Sequence, residues 1–132
     1  MRITSKSDCA LKILVDLAEH RESGYISLAD ISKRMNISKK YLEQIVPMLT
    51  KSGLIQANRG SRGGYVLNVP PERCTLIDIL IATEGNFSSA DENDDDLQFV
   101  WQDMEKAIEK AIGDINLQYI IERRNQSYTY YI

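Results

Sequence analysis

The sequence predicts a mainly α-helical protein with one small β-hairpin. Apolar residues recur at spacings of three and four in several separate segments, as on the buried faces of amphipathic helices. Two short apolar segments flank a glycine-rich stretch, which indicates a hairpin. Serine or threonine precedes several of the helical segments, where an N-cap is expected. These features predict a fold of packed helices with a single two-stranded element.

Three helices are predicted before the hairpin. The first runs from about Ser5 to His20, with one apolar stripe. Ser27 and Ser38 are placed to cap two shorter helices separated by about four residues, and Gly53 to end the second of these. Two short capped helices joined by such a turn are typical of a helix-turn-helix. Pro47 lies inside its second helix, which should either kink there or end earlier; we expect a kink.

The hairpin should place arginines at its tip. Segments 54–58 and 65–67 are short and apolar, and Arg59–Gly64 between them contains three glycines. We expect these glycines to supply the positive φ angles that other residues adopt only at a cost. A hairpin directly after a helix-turn-helix is a wing, so residues 1–73 are predicted to form a winged helix-turn-helix that binds DNA.

Residues 74–132 are predicted to form a dimerisation or effector region. We expect a helix over 75–83, an acidic loop over 86–95, a long helix over 96–112, a short helix over 116–124 and then a tail. The long helix carries an apolar seam with heptad-like spacing. The seam would lie either in the core of one chain or between two chains; we favour a homodimer, because one small winged domain cannot bury a helix of this length. Its residues are Leu97, Trp101, Met104, Ile108 and Ala111.

Composition and charge favour a cytoplasmic protein that binds double-stranded DNA. The first six residues lack the apolar stretch of a secretory signal, and two cysteines in 132 residues do not suggest a disulfide scaffold. The net charge is −3, yet residues 1–73 carry 12 basic and 7 acidic side chains. A local basic surface attracts phosphate whatever the total charge, because salt screens distant charges.

The predicted DNA-contacting residues fall into three groups. The start of the second helix of a helix-turn-helix meets base edges, wing residues reach the minor groove or phosphates, and residues of the preceding helix hold the backbone. Glu43 would either accept from a cytosine or pair with a neighbouring lysine, and Tyr41 would either pack in the core or touch DNA. In order, the groups are Ser38, Lys39, Lys40, Tyr41, Glu43 and Gln44; Arg59, Ser61 and Arg62; Lys33 and Arg34.

Catalysis and metal binding find little support. His20 is the single histidine and the two cysteines are distant in sequence, so neither a catalytic triad nor a zinc site is apparent. We expect a protein that is not an enzyme. Two alternatives to a DNA-binding repressor remain: an adaptor that binds another protein through the same fold, and a regulator that senses oxidation through Cys9 or Cys74, although Cys9 stands where a core residue is expected.

The motifs resemble those of a known family. The segment Arg59–Tyr65 resembles the RGxxGGY wing of the Rrf2 family of bacterial repressors, and Tyr41–Gln44 resembles its YLEQ recognition helix. The resemblance covers nearly the whole chain. It implies a winged-helix homodimer with a long helix in the interface, acting on operators that are imperfect palindromes.

One departure from the family pattern bears on cofactors. Members that bind an iron–sulfur cluster carry three cysteines around the start of the long helix, and this sequence has none between Gly85 and Ile112. We therefore predict no cluster and no other cofactor. Among the members that lack a cluster, the chain resembles the repressor of cysteine metabolism. By that resemblance, the terminal Tyr130, Tyr131 and Ile132 would dock into cysteine synthase; alternatively, the tail folds back or stays disordered.

Overall fold

The computed structural model describes residues 3–61, 63–85 and 96–130, with side chains as far as residue 127. Six α-helices and one antiparallel hairpin follow each other along these residues, joined in two places by short 3₁₀ turns, Arg21–Ser23 and Pro71–Arg73. The elements are α1 (Ser5–Glu19), α2 (Leu28–Met35), α3 (Lys39–Lys51), β1 (Ile55–Asn58), β2 (Gly64–Leu67), α4 (Leu76–Glu84), α5 (Gln98–Ile112) and α6 (Leu117–Tyr130). The predicted fold class is confirmed.

Side-chain caps start the helices where the sequence predicts them. The Ser27 hydroxyl accepts from the Asp30 amide at 3.1 Å, and the Ser38 hydroxyl accepts from the Tyr41 amide at 3.2 Å. Each bond satisfies an amide that lacks a partner within its helix. Between the two helices, Asn36 takes the left-handed conformation at φ 54°, which ends α2 and turns the chain into α3.

Helix α3 runs through Pro47 and ends in a glycine motif. The helix does not end before Pro47, because Pro47 lies inside it and four helical residues follow. The Pro47 side chain is exposed. At the end, Gly53 has φ 81°, its amide donates to the Thr50 carbonyl at 3.1 Å, and the Leu54 amide donates to the Leu49 carbonyl at 3.1 Å. This is the Schellman pattern, which satisfies two carbonyls of the last turn and directs the chain into β1.

The wing is a two-stranded hairpin with a third extended residue beside it. Strand β1 pairs with β2 in the register Ile55 with Leu67 to Asn58 with Gly64. On the other side of β2, Ile26 and Tyr65 exchange two backbone hydrogen bonds of 2.9 and 2.8 Å. The half of β2 that is nearer to the tip of the wing is therefore fixed to the chain that leads into α2.

The predicted role of the wing glycines is right for one of the three. Gly60 has a positive φ of 143°, whereas Gly63 and Gly64 do not have positive φ angles. A Cβ at Gly63 would lie 2.7 Å from the Asn58 carbonyl oxygen, and one at Gly64 would lie 2.5 Å from that of Ile26. These two positions need glycine because other backbone passes too close for a side chain.

One hydrophobic core joins both predicted parts of the chain. Helix α1 contacts α2, α3, α4 and α6, and its stripe is almost wholly buried. Cys74 and Leu117, from the second part, are fully buried in the same core. The Leu117 amide donates to the Cys74 carbonyl at 2.8 Å, and the Leu76 amide to the Ile115 carbonyl at 2.8 Å. The boundary at residue 73 therefore separates two predicted functions, whereas the hydrophobic core contains residues from both sides of it.

The last helix is longer than the predicted range of 116–124. Helix α6 extends to Tyr130, so the first of the three tail residues belongs to a helix, whereas Tyr131 and Ile132 lie outside the described residues. No glycine or proline follows Leu117 to stop the helix, and polar residues on an exposed surface do not end one. The Asn116 side chain accepts from the Tyr119 amide at 2.8 Å and starts it. No helix in the described ranges is long and apolar enough to cross a membrane.

Candidate nucleic-acid interface

Helix α3 presents one exposed polar stripe. Its opposite face carries Leu42, Ile45, Val46 and Leu49, all buried, so packing fixes which way the stripe points. Five predicted DNA-contacting residues come together on the exposed side at its start. They are Ser38, Lys39, Lys40, Glu43 and Gln44, and each of them is exposed.

Tyr41 bridges α3 and α1. Its ring is half-buried and packs against the core, and its hydroxyl donates to the Ser5 hydroxyl oxygen at 3.0 Å. Of the two alternatives for Tyr41, packing in the core is therefore the one that its ring adopts. Tyr41 holds the first turn of the recognition helix against the first turn of α1, and so positions the residues around it.

Glu43 is an acid among bases, and no described residue forms an ion pair with it. Across residues 3–61, 63–85 and 96–130, the ion pairs within 4 Å are those of Lys12, His20, Arg34 and Arg124, and none includes Glu43. The alternative in which Glu43 pairs with a neighbouring lysine is not seen. A carboxylate left open on this surface repels phosphate, so its presence fits contact with a base amino group.

Two predicted wing residues are exposed at the tip of the hairpin. Arg59 and Ser61 flank Gly60 in the turn, and both reach solvent. Arg62 lies outside the described residues. A cleft of about 500 Å³ separates the wing from the second half of α3, and its lining is partly apolar. Of its polar residues the sequence indicated Arg59 but not Thr50, Lys51 or Asn58; the helical spacing from Gln44 to Lys51 could have indicated the lysine.

The two basic residues at the end of α2 differ in their surroundings. Lys33 is exposed. The Arg34 guanidinium instead donates from Nε and Nη2 to the two carboxylate oxygens of Asp16, at 2.7 and 2.9 Å. The hydrogen bond to Asp16 raises the pKa of Arg34 further above its ordinary value. Arg34 therefore fastens α2 to α1, which the sequence did not indicate, and only the rest of its guanidinium remains for a phosphate.

Helix α5 carries an exposed apolar face. None of its residues, all of which the structure describes, is buried. Leu97 is 61% exposed, Trp101 51% and Met104 40%, whereas Ile108 is half-buried and Ala111 exposed. Phe99 and Val100, which the seam omits, are exposed as well. Several large apolar side chains exposed on one helix are typical of an interaction site.

The cysteines are placed to be inert. Cys9 and Cys74 are both buried, which does not favour the alternative of a regulator that senses oxidation through either of them. Burial raises the pKa of Cys74 to about 11 and also raises that of Cys9, where nearby Asp8 adds to the effect. The reactive thiolate form is therefore disfavoured at both positions. Neither thiol fits the role of an oxidation sensor.

An exposed polar helix beside a β-hairpin, on a core of packed helices, defines a winged helix-turn-helix of the DNA-binding transcriptional regulators. Residues 3–123 match the family model Rrf2, described as an iron-dependent transcriptional regulator. The chain belongs to the Rrf2 family of transcriptional regulators.

Individual relatives of the chain are also transcriptional regulators. The chain is 30% identical to the HTH-type transcriptional regulator CymR of Bacillus subtilis, over the full length of both. It is 31% identical to the regulator IscR of Xenorhabdus nematophila, covering 94% of this chain and 81% of that one. The solved structure of B. subtilis CymR, described as a global cysteine regulator, superposes with a TM-score of 0.75 at 30% identity, covering 93% and 98% of the chains. The structure of T. potens IscR also gives 0.75 at 30% identity, covering 98% and 96%.

Within the residues that the structure describes, no set of ligands matches the iron dependence in the family description. Its two cysteines are buried in the core. Within the described ranges, no three His, Cys, Asp or Glu side chains come together in a way that could hold a metal ion. An iron–sulfur cluster needs several thiolate ligands at one place, and this sequence cannot supply them. The relatives are regulators of transcription, which agrees with a protein that is not an enzyme.

Proposed function

We propose that this chain is a cytoplasmic homodimeric repressor that binds a palindromic operator without an iron–sulfur cluster. The observation that carries the proposal is the packing of α3, which presents Lys39, Lys40, Glu43 and Gln44 together on one exposed surface beside the wing. In a helix-turn-helix this end of the second helix enters the major groove. Lysines attract the phosphates, whereas Glu43 and Gln44 can bond cytosine and adenine edges.

The dimer in this proposal rests on α5. The described residues of the same chain leave Trp101 and Met104 exposed, and a second copy would cover them. Two copies related by a two-fold axis present two recognition helices, which fit half-sites about 34 Å apart on one side of a duplex.

The regulated genes are proposed to belong to cysteine or sulfur metabolism. The 30% sequence identity to CymR over the full chain supports this proposal, and so does the absence of the three cysteines that hold a cluster. The same similarity supports cysteine synthase as a partner that takes the C-terminal residues. Tyr130 is the last residue of α6, and the other two residues of the proposed docking segment follow it in the sequence. Deleting residues 130–132 should abolish binding to cysteine synthase; unchanged affinity would remove this partner.

The direct test is selection of bound duplexes from a random pool, repeated with cysteine synthase present. We expect an inverted repeat with half-sites about one helical turn apart. Binding of the selected duplex should weaken steeply between roughly 50 and 200 mM salt, because phosphate contacts release counterions. A protein adaptor would enrich no sequence and would show no such salt dependence on DNA.

The wing has its own test within this proposal. Arg59→Ala should weaken binding to the selected duplex far more than binding to random DNA, because a minor-groove arginine reads groove width. Arg21→Ala, on the exposed turn after α1, serves as a control of equal charge change. Equal losses on both duplexes would reduce Arg59 to a phosphate contact.

A further inference from the structure

The cleft between α3 and the wing is lined by cationic and amide groups together with apolar groups. The polar groups include Lys51 from the last turn of α3, Asn58 from the end of β1 and the next residue, Arg59. In the described part of the chain, the side chains of Lys51 and Asn58 make no hydrogen bond or ion pair with the protein. Four residues contribute apolar surface to the cleft: Val46, Pro47, Ala57 and Tyr65.

Helical geometry turns this cleft toward the same ligand as the base-reading residues. Lys40, Gln44, Pro47 and Lys51 follow one another at spacings of four, three and four, so they lie along one side of α3, and all four are exposed. Gln44 and Lys51 are seven residues apart, which is roughly 10 Å along the helix axis. The major groove is about 12 Å wide, so a helix with Gln44 against the bases brings Lys51 to the phosphates at the groove edge.

We propose that the cleft holds the sugar–phosphate backbone of one DNA strand, between the major groove met by α3 and the minor groove met by the wing. The Lys51 ammonium and the Asn58 amide donate to phosphate oxygens, and the apolar part of the lining packs against deoxyribose. This inference rests on the proposed function and adds a sequence-independent anchor to it. Phosphate contacts of this kind fix the register of the protein but carry no sequence information.

Lys51 also has a structural role available to it, which the experiment must separate. A lysine in the last turn of a helix interacts favourably with the negative end of the helix dipole. That role would affect the melting temperature without changing the dependence of DNA affinity on salt. The salt slope is therefore the deciding measurement.

The experiment measures fluorescence anisotropy of the full chain with the selected duplex and with a random duplex, from about 50 to 200 mM salt. Lys51→Gln should weaken both duplexes by the same factor. It should also lower the slope of log K against log salt by about 0.9 per protomer, or about 1.8 per dimer. Lys51→Arg should restore the slope. Lys12→Gln is the matched control, because Lys12 lies in a groove between α1 and α6.

The outcomes distinguish this inference from the proposed function. An unchanged slope in a folded Lys51→Gln protein would overturn the anchor, and so would a loss confined to the selected duplex. If the wild-type chain bound neither duplex, the proposed function itself would fail. Should Lys51→Gln not fold, Asn58→Asp tests the same cleft from the wing: it should weaken both duplexes equally, and unchanged binding would contradict the proposal.

Discussion

Single glycines determine how closely the wing approaches the rest of the domain. Gly64 lies where β2 passes the extended chain at Ile26, and Tyr65 exchanges two backbone hydrogen bonds with Ile26. A side chain at residue 64 would separate these two stretches of backbone. The orientation of the wing relative to α2 and α3 therefore depends on a residue that has no side chain.

Gly64→Ala should destabilise the protein by about 1–3 kcal/mol, because a Cβ would lie 2.5 Å from the Ile26 carbonyl oxygen and backbone must move. Gly53→Ala is a useful comparison: no atom lies within 4 Å of its Cβ, so its cost arises from φ 81° alone. Chemical denaturation measures both. If Gly64→Ala left stability and DNA affinity unchanged, the close approach would be unimportant.

These glycines also show where reasoning from sequence stops. The pattern of residues 59–65 was enough to predict a hairpin, but a glycine needed for positive φ and one needed for close approach look the same in a sequence. Only Gly60 serves the predicted purpose. The neighbour that excludes a side chain at Gly64 is 38 residues away, at Ile26, and a contact at that distance leaves no local signal.

At the scale of elements, an ion pair between a buried carboxylate and a partly exposed guanidinium joins α1 to α2. The Asp16 side chain is almost fully buried and accepts two hydrogen bonds from Arg34, which lies 18 residues further along. His20 also lies beside this carboxylate, at 3.5 Å. The sequence led to a phosphate-contact role for Arg34 because basic residues near a recognition helix usually have one, whereas the partner on α1 is visible only in the fold.

Arg34→Gln should therefore lower stability, by about 2–3 kcal/mol, since it leaves the buried Asp16 carboxylate without its charged partner. Lys33→Gln, with the same charge change one residue earlier on an exposed position, should leave the melting temperature nearly unchanged. Asp16→Asn combined with Arg34→Gln should cost less than the sum of the single changes. Additive costs would show that the pair does not act as a unit.

A second contact joins the start of α1 to the end of α4. The Thr4 and Ser7 hydroxyls both donate to the Glu84 carboxylate, the latter at 3.0 Å, and Ser7 also lies 2.8 Å from the Thr83 hydroxyl. Tyr41 reaches the same turn of α1 through Ser5. The first turn of α1 thus contacts both the recognition helix and the helix that leads toward α5.

The hydrogen bonds from Thr4 and then Ser7 hold the pKa of Glu84 below its usual value, so folding favours its ionised form. The carboxylate should therefore contribute stability above the pKa of the unfolded chain, and this contribution is lost as pH falls through the folded value. We expect the stability difference between wild type and Glu84→Gln to stay constant from pH 7 to about pH 5 and to shrink as pH falls below about 4. Glu22→Gln, on an exposed turn, is the control. If the difference between wild type and Glu84→Gln did not change with pH, the role proposed for the Glu84 carboxylate would be wrong.

At the scale of the whole molecule, the sequence was sufficient for the order of elements and for the polar side of α3, because periodicity and caps are local. It was insufficient for the shared core, in which Cys74 and Leu117 pack with residues of α1. A pattern of apolar residues predicts which side chains will be buried, but it does not predict which element they will pack against. The same limit applies to α5, whose seam has the spacing of a helix interface but no partner within the described part of its own chain large enough to bury it.

The dimer is the property on which recognition of a palindrome depends, and α5 allows a sharp test of it. Replacing Trp101 and Met104 by glutamate places charge on a face that is already exposed in one chain, so the monomer should still fold. In a dimer the same charges would be buried across the interface at a high cost. We therefore expect the variant to sediment as a monomer at concentrations where wild type is a dimer. The fluorescence of Trp101, the single tryptophan, should shift to longer wavelength when wild type dissociates.

DNA binding should change in a way that only loss of the dimer explains. The double variant should bind the full palindrome about 100-fold more weakly or worse, because two linked half-sites act through an effective concentration. Its affinity for an isolated half-site should stay the same, since α3 and the wing are unaltered. Gln102→Glu, on the same helix and also exposed, should remain dimeric and bind normally. A variant that stayed dimeric would mean that the two chains meet elsewhere, and the apolar face of α5 would then need another partner.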